Sequence, residues 1–333
     1  MIESSDAASA AAVPSASRKR LVLAVRVLAL VAVLACVAFF ARSLDWPQVR
    51  ASFARANLGM ALLATVVGLP CTALQGLRWA SLVSAIHPVR KRTAVAAMYV
   101  GQAASVLLPL RAGEAVRTEL MARATGLGRA VSLGTVAVDH LVNASAMFII
   151  AAALPLLLPV PRWMAVVLWA GLAVVALVAV VVVRLAHAPP EVSSTGRLAK
   201  LLESVRAGLT ALRHPRLVLR AAGFAFASWA VEIAVATLSL NAFGLPHDIP
   251  HAMAVLFGVN LALAIPSPPA SLGNFELGAG MALVAFGGDK ERAAAFALGY
   301  HALQLLPTLA MGGLMLPHFR KSRLGAAPSA NAA

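Results

Sequence analysis

The segment LLPLRAGEAVRTEL, Leu107 to Leu120, places Arg111, Glu114, Arg117 and Glu119 within nine residues, after a Pro and around a Gly. A second segment, IPSPPASLGNFE, Ile265 to Glu276, again sets prolines before a Gly and an acidic residue, here Gly273, Asn274 and Glu276. Arginine guanidinium suits a phosphate oxygen pair, because its planar fork donates two parallel hydrogen bonds. Pro ends a helix and Gly lets the chain reverse. The helix that restarts after Gly113 or Gly273 aims free N–H groups and its positive dipole end back at the break, which makes an anion site. Glu114 and Glu276 fall in the first turn of those helices. They either compensate the dipole and pair with a nearby Arg, or handle a headgroup or a proton.

Other polar residues interrupt the apolar blocks. Asp139, His140 and Asn143 are close on one predicted helix, and Asp139 and Asn143 share a face at i,i+4. His140 and His301 can titrate near neutral pH. No nucleophile stands with a base, and no metal-ligand spacing is present, so neither catalysis, a metal nor a cofactor is expected. The candidate binding residues are Arg111, Gly113, Glu114, Arg117, Asp139, His140, Gly273, Asn274, Glu276 and His301. Glu119 and Arg123, at i,i+4, are expected to pair on a solvated face.

The surrounding composition is that of a membrane protein. The 333 residues are 60% hydrophobic and 12% charged, against roughly 45–50% and about 25% in a soluble domain. The net charge of +15 lies between the apolar blocks, without aromatic interleaving, so nucleic acid is not the partner it implies. Cys36 and Cys71 both lie inside apolar blocks and read as inert buried thiols.

Blocks near the ~20 residues needed to span a bilayer occur at 21–41, 58–84, 130–158, 163–185, 217–243 and 293–317. Shorter blocks lie at 93–110, 251–267 and 274–288. Residues 21–41 follow a basic triplet, lack a clear cleavage site and read as an uncleaved first span. Residues 1–17 and 324–333 read as disordered tails, the first cytoplasmic, around a single transmembrane domain over 18–323 with halves of about 18–160 and 161–323. If 93–110 dips in and returns, most of the 28 Lys and Arg fall on the side of the N-terminus. Both termini are then cytoplasmic in a cell membrane. A full crossing would move the basic residues of 184–220 outside. Each half reads span, span, broken block, span, from opposite sides. Two interrupted segments at corresponding places point to a transporter-like site at the repeat interface. The predicted fold class is therefore all-α, a polytopic membrane helical bundle with an inverted repeat and two re-entrant hairpins, 93–129 and 251–288.

LLPLRAGEAVRTELMARATG resembles the PxRxGExxRxxLL stretch of the lysylphosphatidylglycerol synthase transmembrane region, a flippase-like family. IPSPPASLGNFE is similar to its second signature, closing in Gly-x-x-Glu. LRWASLV (Leu77 to Val83), GYHALQLLP (Gly299 to Pro307) and Trp229 with Glu232 are similar to further family patterns. The chain departs from that pattern with Asp139-His140 and Asn143 in place of Glu-Arg and a following Asp, and with Tyr300-His301 in place of Tyr-Arg. Titratable groups thus stand where the family has two phosphate-binding arginines. The resemblance covers about residues 20–320 and implies the flippase half without the aminoacyl-transfer domain, for which the short tail after the last span leaves no room. The expected function is translocation of a phospholipid or lipid-linked intermediate, with a membrane lipid of anionic or zwitterionic headgroup as partner. With no ATP-binding loop, movement would be downhill or ion-coupled. A lipid or glycosyl transferase, and a non-catalytic partner of a separate lipid-modifying enzyme docked on the basic segment 186–216, are the alternatives.

Overall fold

The structure, a computed structural model, describes Arg42 and residues 44–108, 112–188, 197–265 and 269–321. The first predicted span, both tails, Pro109, Arg111 and Pro266 fall outside the described residues. From Leu44 onward the chain forms one unit, and residues 1–43 belong to another.

The described residues are helical throughout, without a strand. Polar residues start many of the helices, by accepting N–H groups that the first turn leaves unpaired. Asp45 opens α1 (Trp46–Ala54), with Pro47 in its first turn. Asn57 accepts the Met60 N–H at 3.1 Å and opens α2 (Leu58–Val83). After α2 come two shorter helices, α3 (Lys91–Leu107) and α4 (Gly113–Thr125), then a long one, α5 (Arg129–Ala151), and a single turn, α6 (Leu154–Leu157).

The second half repeats this order. It contains α7 (Arg162–His187), α8 (Arg197–Gly208), a 3-10 turn over Leu209–Arg213 and α9 (Pro215–Ala242). Two shorter helices follow, α10 (Ile249–Leu263) and α11 (Asn274–Ala285), then α12 (Lys290–Met315) and a final turn, α13 (Pro317–Lys321). Asp248 caps α10 and Asp289 caps α12. Among the described residues, five segments are long and apolar enough to cross a membrane: 58–83, 129–157, 162–187, 215–242 and 290–319. At 1.5 Å per residue, α4 and α11 reach only about 20 Å, short of the ~30 Å hydrocarbon core. Each is the returning arm of a hairpin, α4 packed on α3 and α11 on α10.

Small residues let the hairpin arms approach. A Cβ on Gly258 would lie 2.5 Å from the Gly278 carbonyl oxygen, and a Cβ on Gly278 would lie 2.5 Å from that of Gly258. In the first hairpin a Cβ on Gly101 would lie 2.8 Å from the Arg117 Cβ, and one on Gly113 would collide with the Gly101 carbonyl and Ser105. Close approach of backbones is how helices gain packing where lipid supplies no hydrophobic drive. The two halves meet where α2 lies along α9, and α3 also packs on α12.

Helix α7 shows the lipid-facing character of the bundle. It has a mean hydropathy of 3.1 in its best window, yet of its residues only Met164, Leu168 and Ala186 are buried.

The helix expected to restart after Gly113 is present over 113–125, and its Arg117, Thr118, Met121 and Ala122 are buried against neighbouring helices. The polar segment 186–216 is largely folded as well. A Cβ on Gly134 of α5 would meet the Val205 carbonyl and the Gly208 Cα, and Leu209 and Ala211 are buried. Arg206 donates to the Ala188 carbonyl, and Arg213 to that of Ala186 at 2.6 Å. These basic side chains serve the unpaired carbonyls at the end of α7, where positive charge is favoured.

Candidate functional site

The first break brings together charges from three helices. Arg78, near the end of α2, sends Nε to Asp139 Oδ1 at 2.7 Å and Nη2 to Oδ2 at 3.3 Å. Its Nη1 donates to Asn143 Oδ1 at 2.6 Å. Asp139 and Asn143 thus use the shared face of α5 on one guanidinium. Arg117 of α4 donates from Nη1 to Asp139 Oδ2 at 3.1 Å and from Nε to Glu114 Oε2 at 2.5 Å. Its guanidinium also lies 5.0 Å from the Trp79 ring centroid. Asp139 is 0% exposed, and Arg78 and Arg117 are each 3% exposed. Two arginines against two carboxylates make this cluster neutral, which is the condition for charges to sit inside a membrane bundle.

His140 is the adjustable member. Its Nε2 lies 3.2 Å from Arg117 Nη2 and 3.3 Å from Glu114 Oε1. A lone pair there accepts from the arginine, whereas a proton there serves the carboxylate. The Glu114 and His140 side chains keep 37% and 52% of their exposure. They form the open edge of the cluster.

The second break is held differently. Ala270 and Ser271 have φ of 58° and 56°, and Gly273 has 87°. The left-handed region is costly for the first two and natural for glycine. Asn274 Nδ2 donates to the carbonyls of Ala262 and Ile265, both at 3.1 Å. The first residue of α11 thereby pairs backbone acceptors at the end of α10, which hydrocarbon could not satisfy. Glu276 Oε2 accepts the Gly273 N–H at 2.7 Å and caps α11. Its Oε1 lies 2.6 Å from His301 Nδ1. His301 stacks on Phe275 at 4.2 Å between centroids and is buried. In contrast, α4 begins without a side-chain cap.

Between the breaks lies a cavity of about 490 Å3. Glu114 and Ser105 reach it from the first hairpin, Asn260, Ser271 and Phe275 from the second, and His140 and His301 from the long helices. A smaller cavity of about 120 Å3 continues from it toward Gly113, Arg117, Arg78 and Asp139. The structure thus brings Glu114, His140 and His301 to one space. Gly113, Arg117 and Asp139 lie beside it in the smaller cavity, and Gly273, Asn274 and Glu276 support it from the second break. Arg111 lies outside the described residues. Arg117 serves Glu114 and Asp139 rather than standing free for a ligand.

Sequence reasoning left Arg78 out of the candidate site. The signal was there: an arginine inside a spanning block needs a partner, and Asp139 and Asn143 shared a face. Among the described residues, no group of three or more His, Cys, Asp and Glu could hold a metal ion.

No match to the chain was found among curated proteins or among solved structures. The family model described as Lysylphosphatidylglycerol synthase TM region matches residues 26–312, a span containing both breaks and the cavity between them. The chain is therefore an integral membrane protein that belongs to the lysylphosphatidylglycerol synthase TM region family.

Proposed function

We propose that the protein is a lipid translocator of the cell membrane that passes a phosphate-bearing headgroup through the space between the two breaks while the acyl chains stay in the bilayer. The observation that carries this reading is the cavity of about 490 Å3 bordered by both hairpins. A path with polar side chains along it is what a headgroup needs to cross hydrocarbon, and a repeat interface is where such paths are built.

The phosphate end is assigned to the first break. Among the described residues no side chain caps the N-terminus of α4, and Gly113 at that end borders the smaller cavity, so the dipole end favours an anion there. Ser105 and His140 stand beside it and offer a hydroxyl and an imidazole to the headgroup. Glu276 already fills the equivalent position on α11. Binding rather than catalysis is the role we give the carboxylates, since Glu114, Asp139 and Glu276 are each engaged by a basic side chain. The basic-residue distribution supports both termini in the cytoplasm. A separate lipid-modifying enzyme would be the source of the lipid moved.

Purified protein in liposomes holding fluorescent lipids tests the reading. Anionic, zwitterionic and aminoacylated headgroups are compared, and an impermeant reductant reports the inner-leaflet lipid that becomes accessible. Faster exchange of at least one phosphate-bearing class than in protein-free liposomes is expected. Rates equal to protein-free liposomes across the panel overturn the reading.

A further inference from the structure

Four carboxylates lie in the bundle interior among the described residues. Asp139 is held by two arginines, Glu114 by Arg117 and His140, and Glu276 by His301. The fourth, Glu232 of α9, takes part in none of the ion pairs between described residues. Its Oε1 lies 3.1 Å from the Cys71 Sγ, and its Oε2 accepts from Gln304 Nε2 at 3.1 Å. Both partners are neutral. Glu232 also borders two cavities. One, of about 200 Å3, shares Asn143, Asn260, Phe275 and Gln304 with the central space. The other, of about 100 Å3, runs past Thr65, Gly68, Tyr99 and Thr308.

We propose that Glu232 is a proton-binding site, reached from the two cavities it separates, whose loading and release couple lipid movement to proton movement. The coupling rests on the translocation reading above; the proton site does not. A carboxylate at membrane depth without a cation favours a ligand that removes its charge. Protonating Asp139 or Glu114 would leave two arginines against one carboxylate, whereas protonating Glu232 breaks no ion pair between described residues. The proton comes from water in one cavity, forms the O–H bond of the carboxylic acid, and leaves to water in the other. A metal cation is less suited, since hard cations need several converging oxygens, and here the nearest neighbours are a thiol and an amide N–H.

The other titratable groups lining these two cavities are Cys71 on α2, Tyr99 on α3 and Tyr300 on α12. The Arg78 fork is occupied by Asp139 and Asn143. Gln304 links Glu232 to the Tyr300 hydroxyl at 3.2 Å. From α10 and α11 come Asn260 and Phe275, neither of which titrates.

Two measurements test this. Infrared difference spectra of purified protein across pH should show a carboxylic-acid carbonyl band that is absent in Glu232→Gln. In liposomes, a gradient of one pH unit offers about a tenfold bias, and wild type should move its lipid faster with the gradient than without. Glu232→Gln, checked for wild-type elution and melting, should lose that acceleration. A band that persists in Glu232→Gln overturns the proton site whether or not any lipid moves. Lipid movement by wild type that ignores the gradient overturns the coupling and leaves the translocator reading intact. If Glu232→Gln keeps the gradient response and loses only amine-bearing lipids, Glu232 is a headgroup ligand and the proposal fails. If wild type moves no lipid, the translocator reading fails, and the band alone decides the proton site.

Discussion

His140 and His301 occupy equivalent places in the two halves: each is the twelfth residue of its long helix, α5 and α12. Each meets a carboxylate from the first turn of the short helix that precedes it, Glu114 at 3.3 Å and Glu276 at 2.6 Å. The first pair is half-exposed to the central cavity, while the second is buried and its carboxylate also caps α11. One construction thus serves as an open site in one half and a support in the other.

This asymmetry separates two substitutions. Glu114→Gln should lower lipid translocation with a modest fall in melting temperature, because its carboxylate lies at the open edge and Arg117 keeps Asp139. Glu276→Gln should lower the melting temperature more, because it weakens a buried imidazole contact. Comparing the two by fluorescence-detected size exclusion after heating, beside the liposome assay, gives both readouts. Equal thermal loss with unchanged translocation would remove the distinction.

The buried cluster should be needed for folding. Arg78→Ala leaves Asp139 with one arginine and Asn143 without its donor. Losing one partner of a buried ion pair costs about 3–5 kcal/mol, so the yield of folded protein should drop sharply. Asp139→Asn should fall in the same range. Denaturant titration in detergent micelles measures both.

The hairpin crossing should tolerate no added bulk. Gly278→Leu places a side chain where a Cβ alone would lie 2.5 Å from the Gly258 carbonyl oxygen, and overpacking of this kind costs about 1–3 kcal/mol. Gly223→Ala is the control, since its added Cβ would meet nothing within 4 Å. It should unfold at the wild-type midpoint or above it.

Asn274→Ala should loosen the second break. The Ile265 carbonyl would lose its side-chain donor, and the Ala262 carbonyl would keep only the Ile265 N–H at 3.2 Å; an acceptor left unpaired costs about 1–3 kcal/mol. Hydrogen exchange should accelerate around 262–277 while that of α2 stays unchanged. Uniform acceleration would mean a global loss of stability instead.

Reporter fusions after Ala333 should be active on the cytoplasmic side only. Activity restricted to the outer side would reverse the orientation drawn from the basic residues.

The sequence by itself determined the membrane class, most of the spans and the two breaks. These are local properties: an apolar run near twenty residues has few other uses, and Pro with Gly interrupts a helix wherever it occurs. Matching the order of elements exposed the repeat, and the i,i+4 spacing of Asp139 and Asn143 put them on one face. Contacts between distant segments were decided only in three dimensions. Arg78 and Asp139 are 61 residues apart, and the two Glu–His pairs are 26 and 25 apart. The segment 113–125 reads as a helix after the break, but its sequence alone does not say which of its polar residues are buried. Tertiary structure buries Arg117 there by supplying Asp139 and Glu114 at once. Whether a carboxylate finds a cation depends on which side chains converge on it. That is why Glu114, Asp139 and Glu276 are paired and Glu232 is left with a thiol and an amide.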